Sequence, residues 1–496
     1  MTASAYAQLE DRFRRVGLIS GIQAILDWDT ATMMPRGGAE ARAEQQAAIA
    51  TLVHREVCEP SLGDLLENAA HERLSAERAD NLRAMRHRRA HATAVPERLV
   101  EEVNRATALC EMAWRDARPA DDFAALLPHL EAVVRLVRER AQAKAAALAM
   151  SPYQALLDEH NPGLTDATVR RLFDTIETFL PALVREVRDV QGRRPAPVPL
   201  PAPVPADAQR RLGERLMRAL GFDFTHGRLD ESRHPFMSGS GDDVRITMRT
   251  DENDVLCGLF AVIHETGHAL YERGLPAAWR WQPGGDAAGS AMHEAQALLW
   301  EMQVARGRAF LSYLAPLLTG FFGAPVDAAN LARLVQKVEP GMIRVDADEC
   351  TYPLHVLLRY RLETALFDGR LDVADLPGAW NDAMERLLGI RPRNDGEGCM
   401  QDIHWMLGNF GYFPSYALGV TAAAQMVAAA RKELGDLDAA IARGEFTGLL
   451  GWLRRNVHAH GSLRPIDDLL RGAVGTSFDA AALEVHLRRR YVERAT

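Results

Sequence analysis

Cysteine is scarce in this sequence: five residues in 496, at Cys58, Cys110, Cys257, Cys350 and Cys399, odd in number, widely spaced and without a C-x-x-C pair. That excludes a disulfide framework and a cysteine-ligated zinc site, and predicts five small buried hydrophobes. No run of about 18 apolar residues occurs, so no transmembrane helix is expected and no membrane partner with it. The first twenty residues lack a signal-peptide core, because Arg12, Arg14 and Arg15 interrupt them. A soluble, cytoplasmic protein is the expectation. Blocks of one charge are also missing. The 67 acidic and 58 basic residues are interspersed and leave a net charge of −9, which argues against nucleic acid as a partner.

What is present is 47% apolar and 25% charged residues, enough for a large buried core. Residues 1–190 are rich in Ala, Leu, Glu and Arg at helical spacing, broken by turn signals such as Pro35-Arg36-Gly37-Gly38 and Asn161-Pro162-Gly163, and predict a helical layer. Trp28-Asp29 reads as a buried tryptophan beside a capping aspartate. Residues 191–207 carry prolines at every second position from 195 to 205, which forbids helix and predicts a stiff surface loop. Residues 208–496 are expected to hold the functional region. Within them Asp243–Thr250 alternates, Val244, Ile246 and Met248 facing one way and Arg245, Thr247 and Arg249 the other, as in a half-exposed strand. Its edge is expected to pair with the backbone of an extended peptide. Ser238-Gly239-Ser240-Gly241 reads as a turn.

The chemistry concentrates at Asn253–Gly274, NDVLCGLFAVIHETGHALYERG. Leu256, Leu259, Phe260, Ile263, Gly267 and Leu270 recur at helical steps, Asn253 or Asp254 can cap the start, and Gly274 closes the end. On that helix His264 and His268 stand one turn apart and point the same way, so two imidazoles can take adjacent corners of a metal tetrahedron. Glu265 then stands beside the water that the metal activates. The third ligand is expected on the next helical stretch, Ser290–Glu301. Glu294 is the choice, 26 positions beyond His268, with His293 as its competitor and Glu301 as a candidate support for a ligand. No histidine follows His268 at metzincin spacing. His404, Tyr412 and Tyr416 are candidate oxyanion donors in a stretch dense with aromatics and glycine.

Taken in order, HPF at 234–236, DVRIT at 243–247, HETGH at 264–268, HEAQALLWE at 293–301, IRVDADE at 343–349 and GCMQDIHW at 398–405 resemble the carboxypeptidase Taq family of metallopeptidases. The resemblance runs from WDTATMMPRGGAEARAEQ at 28–45 to GYFPSYALG at 411–419. It departs at HEAQA, where the family often carries hydroxyls, and leaves Glu294 intact. The resemblance implies a mainly helical zincin with a long active-site groove and one small sheet, one divalent metal (Zn2+, with Co2+ or Mn2+ effective), removal of C-terminal residues from peptides with a free C-terminus, and a homodimer. It singles out His404 and Tyr416 among the catalytic candidates, His234 and Arg245 as substrate-binding residues, and Arg344 as the cation that receives the terminal carboxylate, oriented by Asp348 or Glu349. The rival expectations are a helical oligopeptidase and a non-catalytic scaffold stabilised by metal.

Overall fold

The computed structural model describes residues 3–493; it is mainly α-helical, with one three-stranded sheet. Helix α1 (Ala5–Thr32) starts where the Ser4 hydroxyl accepts from the Ala7 N–H, satisfying a donor that the first helical turn leaves without a carbonyl. Tyr6, Leu9, Phe13 and Val16 follow at three- and four-residue steps and are buried, the first three against Leu62, Leu66, Ala69, Leu82 and Met85. The glycines after Pro35 reverse the chain into α2 (Ala39–Cys58), and Arg42 Nη2 meets Asp29 Oδ2 at 2.6 Å across the hairpin. Asp29 is thus an ion-pair partner between helices and Trp28 is buried beside it.

Packing divides the chain into two compact units, neither of them contiguous. The first uses the chain up to Ala92, Ala196–Val335 and Ala422–Ser477; the second uses Thr93–Pro195, Gln336–Thr421 and the chain from Phe478 onward. The changeover from Pro195 to Ala196 falls inside the proline-rich stretch, which is irregular but tied down. Val204 donates its N–H to the Glu252 carbonyl at 2.8 Å, and the Asn330 amide both accepts from the Val198 N–H and donates to its carbonyl.

In the first unit, strands β1 (Gly227–Glu231), β2 (Met237–Ser240) and β3 (Asp243–Met248) form a sheet in the order β1-β3-β2, β3 being parallel to β1 and antiparallel to β2. The alternation places Val244, Ile246 and Met248 in a core with Met217, Phe222, Leu229, Val262 and Ala269. Two expectations are corrected here. β3 is the central strand, so both its edges are already bonded to neighbours and it has no edge to offer a peptide. Ser238–Ser240 is strand rather than turn, paired with Asp243–Arg245, and the reversal is confined to Gly241-Asp242. The second face of β3 is also covered, because the buried Thr247 hydroxyl accepts from the Phe236 N–H and Arg245 lies against Trp28.

Among the cysteines, Cys110, Cys350 and Cys399 are buried and Cys58 is half-buried. Cys257 is exposed, contrary to expectation, because it shares with Ala261 and His264 the less buried side of its helix. Among the described residues no helix is long and apolar enough to cross a membrane.

Candidate metal centre

The helix carrying HETGH runs Val255–Gly274, with the Asp254 carboxylate accepting from the Cys257 N–H at 3.1 Å as its N-cap. It packs beside the helix Ser290–Leu298 at a distance that only glycine permits. A Cβ on Gly267 would stand 2.7 Å from both the Ala297 Cα and the Gln296 carbonyl oxygen. That approach brings Glu294 to the histidines: one ligand atom each from His264, His268 and Glu294 lies within 4.8 Å of the others. His268 Nε2 and Glu294 Oε2 are 3.8 Å apart, near the roughly 3.4 Å edge of a tetrahedron with zinc-to-ligand arms of about 2.1 Å. The two imidazoles stand 4.9 Å apart and nearly perpendicular.

His293 is outside this cluster. Its ring stacks on His268 at 4.3 Å and its Nε2 pairs with Glu272 Oε1 at 3.2 Å. After Leu298 the helix widens into a π-helical segment, Leu299–Ala305, and Glu301 within it reaches His264 Nδ1 at 3.0 Å. Its other oxygen accepts from Arg306 Nη2 at 2.9 Å. The contact fixes the His264 ring with Nδ1 toward the carboxylate, which leaves Nε2 for the cluster.

Electrostatics favour a cation here. Glu265, Glu294 and Glu301 bring three carboxyls to a largely buried patch, where Arg306 meets Glu301 at 2.9 Å. Burial, opposed by His264 and reinforced by Glu294, raises the Glu265 carboxyl to about 7. Burial disfavours the His264 cation, yet the bond to Glu301 and the charges of Glu294 and Glu265 outweigh it and raise His264 to about 10. Glu301 moves the opposite way, to about 2, since His264 and Arg306 outweigh its burial. A patch that holds a proton on an imidazole this firmly has room for a divalent charge in the proton's place. The donor set, two imidazoles and a carboxylate, suits zinc.

Of the expected substrate residues, His234 and Arg245 lie in the first unit. His234 is exposed in the coil before β2. Arg245 is engaged, both of its hydrogen-bonded nitrogens meeting the Asp243 carboxylate (2.9 and 2.7 Å) while its guanidinium stacks 4.4 Å over Trp28. Arg344, His404, Tyr412 and Tyr416 lie in the second unit. Arg344 is buried, its Nε and Nη2 bonded to the two oxygens of Asp402 at 3.1 and 2.9 Å, and Tyr416 lies under its guanidinium at 4.8 Å. His404 Nε2 is 3.3 Å from the Tyr416 hydroxyl. Burial, with Asp402 opposing and Arg344 assisting, lowers His404 to about 4, so its imidazole is neutral.

The expected orientation of Arg344 is wrong. Asp348 caps the following turn, accepting from the Cys350 and Thr351 N–H groups, and Glu349 is buried against His486, Arg490 and Tyr491. Asp402, absent from the sequence expectations, does that work together with Arg359. Asp402 stands two residues before His404 in GCMQDIHW, which is the one signal that pointed to it. Arg359 lies on the helix Tyr352–Phe367, buried almost all round and without the polar face that would single it out.

The carboxypeptidase Taq (M32) metallopeptidase family model matches residues 8–491. The thermostable carboxypeptidase 1 of Thermus thermophilus is 38% identical over 503 residues, covering 98% of both chains. Among solved structures, Trypanosoma cruzi metallocarboxypeptidase 1 superposes with a TM-score of 0.97 at 37% identity, over 98% of this chain and 99% of that one. The M32 carboxypeptidase of Deinococcus radiodurans gives 0.94 at 36% identity, over 99% of each chain.

Proposed function

This chain belongs to the carboxypeptidase Taq family of metallopeptidases, and from that premise we propose that it is a metal-dependent carboxypeptidase that hydrolyses the last bond of peptides with a free C-terminus. The cation, Zn2+ with Co2+ or Mn2+ as alternatives, would be held by His264, His268 and Glu294, where it supplies Lewis acidity that polarises the scissile carbonyl and lowers the pKa of water. Glu265 takes the proton from the attacking water and passes it to the leaving amine. A carboxyl brought to about 7 by burial is suited to both halves of that transfer near neutral pH. Glu301 keeps the His264 ring in one tautomer. His404, a neutral imidazole, and Tyr416, in hydrogen-bond contact with it, are proposed to stabilise the oxyanion, with Tyr412 packed against both rings.

The observation that carries the carboxypeptidase reading is the state of Arg344. Asp402 occupies the Nε and Nη2 edge, and Nη1 makes no hydrogen bond among the described residues, so the edge formed by Nη1 and the second Nη2 proton is proposed to receive a substrate carboxylate. His234 and Arg245 are proposed as further substrate contacts, Arg245 from its place against Asp243 and Trp28. A homodimer and a cytoplasmic location complete the proposal.

The test compares a peptide with its C-terminal amide. The parent should shorten free peptides stepwise from the C-terminus and cleave the amide poorly, and Arg344→Ala should lose most kcat/KM on the free peptide while changing little on the amide. Internal fragments, or equal cleavage of both by the parent, would establish an oligopeptidase instead.

A further inference from the structure

Asp402 does not serve Arg344 alone. Arg359, wholly buried, donates from Nε to Asp402 Oδ2 at 2.7 Å, from Nη2 to Gln401 Oε1 at 2.8 Å and from Nη1 to the His355 carbonyl at 2.7 Å. Gln401 Oε1 also accepts from the Arg344 N–H at 2.9 Å, so one carboxylate and one amide tie the two arginines together. Trp380 lies 4.6 Å under the Arg359 guanidinium.

The charges of this cluster can be counted. Arg344 and Asp402 alone would make a neutral pair, and a second carboxylate approaching it would feel the repulsion of Asp402 almost as strongly as the attraction of Arg344. With Arg359 the sum is one positive charge. The neighbouring imidazoles add nothing, because burial and the two arginines hold His355 near 3 and His404 near 4. Glu363, one turn beyond Arg359, is turned to Trp405 Nε1, Tyr153 Oη and Gly411 N–H, and burial pushes it to about 7, so below that pH it is neutral.

We propose that Arg359 is a positioning residue that acts through Asp402. It offsets that carboxylate's charge, so that Arg344 presents a net positive charge to the terminal carboxylate of a peptide. The inference rests on the reading of Arg344 as the carboxylate anchor. It makes Asp402 a hinge pin shared by two cations, good for aiming Arg344 and harmless to its charge only while Arg359 is present. Deep burial of a cation that never meets solvent or substrate is otherwise costly, since desolvation of an arginine must be offset by partners.

The experiment measures, at pH 6 on the metal-loaded enzyme, the ratio of kcat/KM for a tripeptide to that for its amide. Arg359→Met, which keeps length and removes charge, should lower the ratio roughly ten- to a hundredfold, chiefly through KM of the free peptide. Arg359→Met combined with Asp402→Asn restores the charge count and should regain most of the ratio, whereas a purely structural role predicts that the double variant is no better than the single. A double variant as poor as the single overturns the proposal. Should Arg359→Met not fold, Arg359→Lys, which keeps the charge but not the planar fork of donors, should hold the ratio within a few-fold of the parent, and a loss of roughly ten- to a hundredfold in that folded variant would overturn the proposal equally. Arg344→Met separates the two levels. If it leaves the ratio unchanged, the anchor reading itself fails, and if it abolishes the ratio while the Arg359 series shows no charge rescue, only the present inference fails.

Discussion

Glu265 and Glu294 are both carboxyls beside the same histidines, and their chemistry separates them. Glu265→Gln removes the proton acceptor but no ligand, so metal stoichiometry should stay at the parental value while kcat falls roughly a thousandfold or more. Glu294→Ala removes a ligand, and a chelator competition should show metal affinity collapsing. If Glu294→Ala bound metal as tightly as the parent, the third ligand would lie elsewhere. Glu363 makes a different prediction, one of stability. Its folded carboxyl is raised from 4.5 to about 7 because burial outweighs its three donors. A raised carboxyl favours the folded state below pH 4.5, and that contribution is lost as pH climbs to about 7, amounting to roughly 3 kcal/mol. Melting of the parent against Glu363→Gln should therefore show the parent's relative advantage shrinking between pH 4.5 and 7, and a pH-independent difference would refute it. At this scale the sequence was readable where chemistry follows from spacing. His264, Glu265 and His268 are fixed by helical period, and Glu294 by one helix-length reversal. Asp402 and Arg359 were not, since their meaning lies in a contact 43 positions apart that no local pattern encodes.

Elements were legible in proportion to their period. The HETGH helix announced its cap, its stripe and its end, and β3 its alternation. β1 and β2 did not, because four- and five-residue strands containing glycine and charge carry too little pattern. Missing them misplaced β3 at an edge when it is in the middle. The π-helical segment was equally hidden, as nothing in LWEMQVA distinguishes it from an ordinary turn of helix. Where two elements touch, a single residue can be decisive. Gly267→Ala would place a methyl group 2.7 Å from the backbone of the facing helix, so the two helices must part, and Glu294 with them. The expected outcome is a metal affinity at least about tenfold weaker together with a stability loss of roughly 1–3 kcal/mol. Unchanged chelator competition in a folded Gly267→Ala protein would mean that the close approach does not set the ligand geometry.

For the molecule as a whole, all three proposed ligands belong to one of the two units. Metal held at about 1,000 times its dissociation constant stabilises that state by roughly 4 kcal/mol. Hydrogen exchange after chelation should show protection falling across Val255–Ala305 while Tyr352–Phe367, in the other unit, keeps its own. Loss spread evenly over both would show that metal stabilises the chain as one cooperative block. The interleaving of the units also carries a consequence for biosynthesis. Glu349 is buried among His486, Arg490 and Tyr491, partners that leave the ribosome some 140 residues after it. Until they emerge, the nascent chain lacks the partners that offset the burial of this carboxylate, so the unit that carries Arg344 closes only after residues 486–491 have left the ribosome. A chain stalled short of residue 480 exposes an unfinished interior to chaperones and proteases alike.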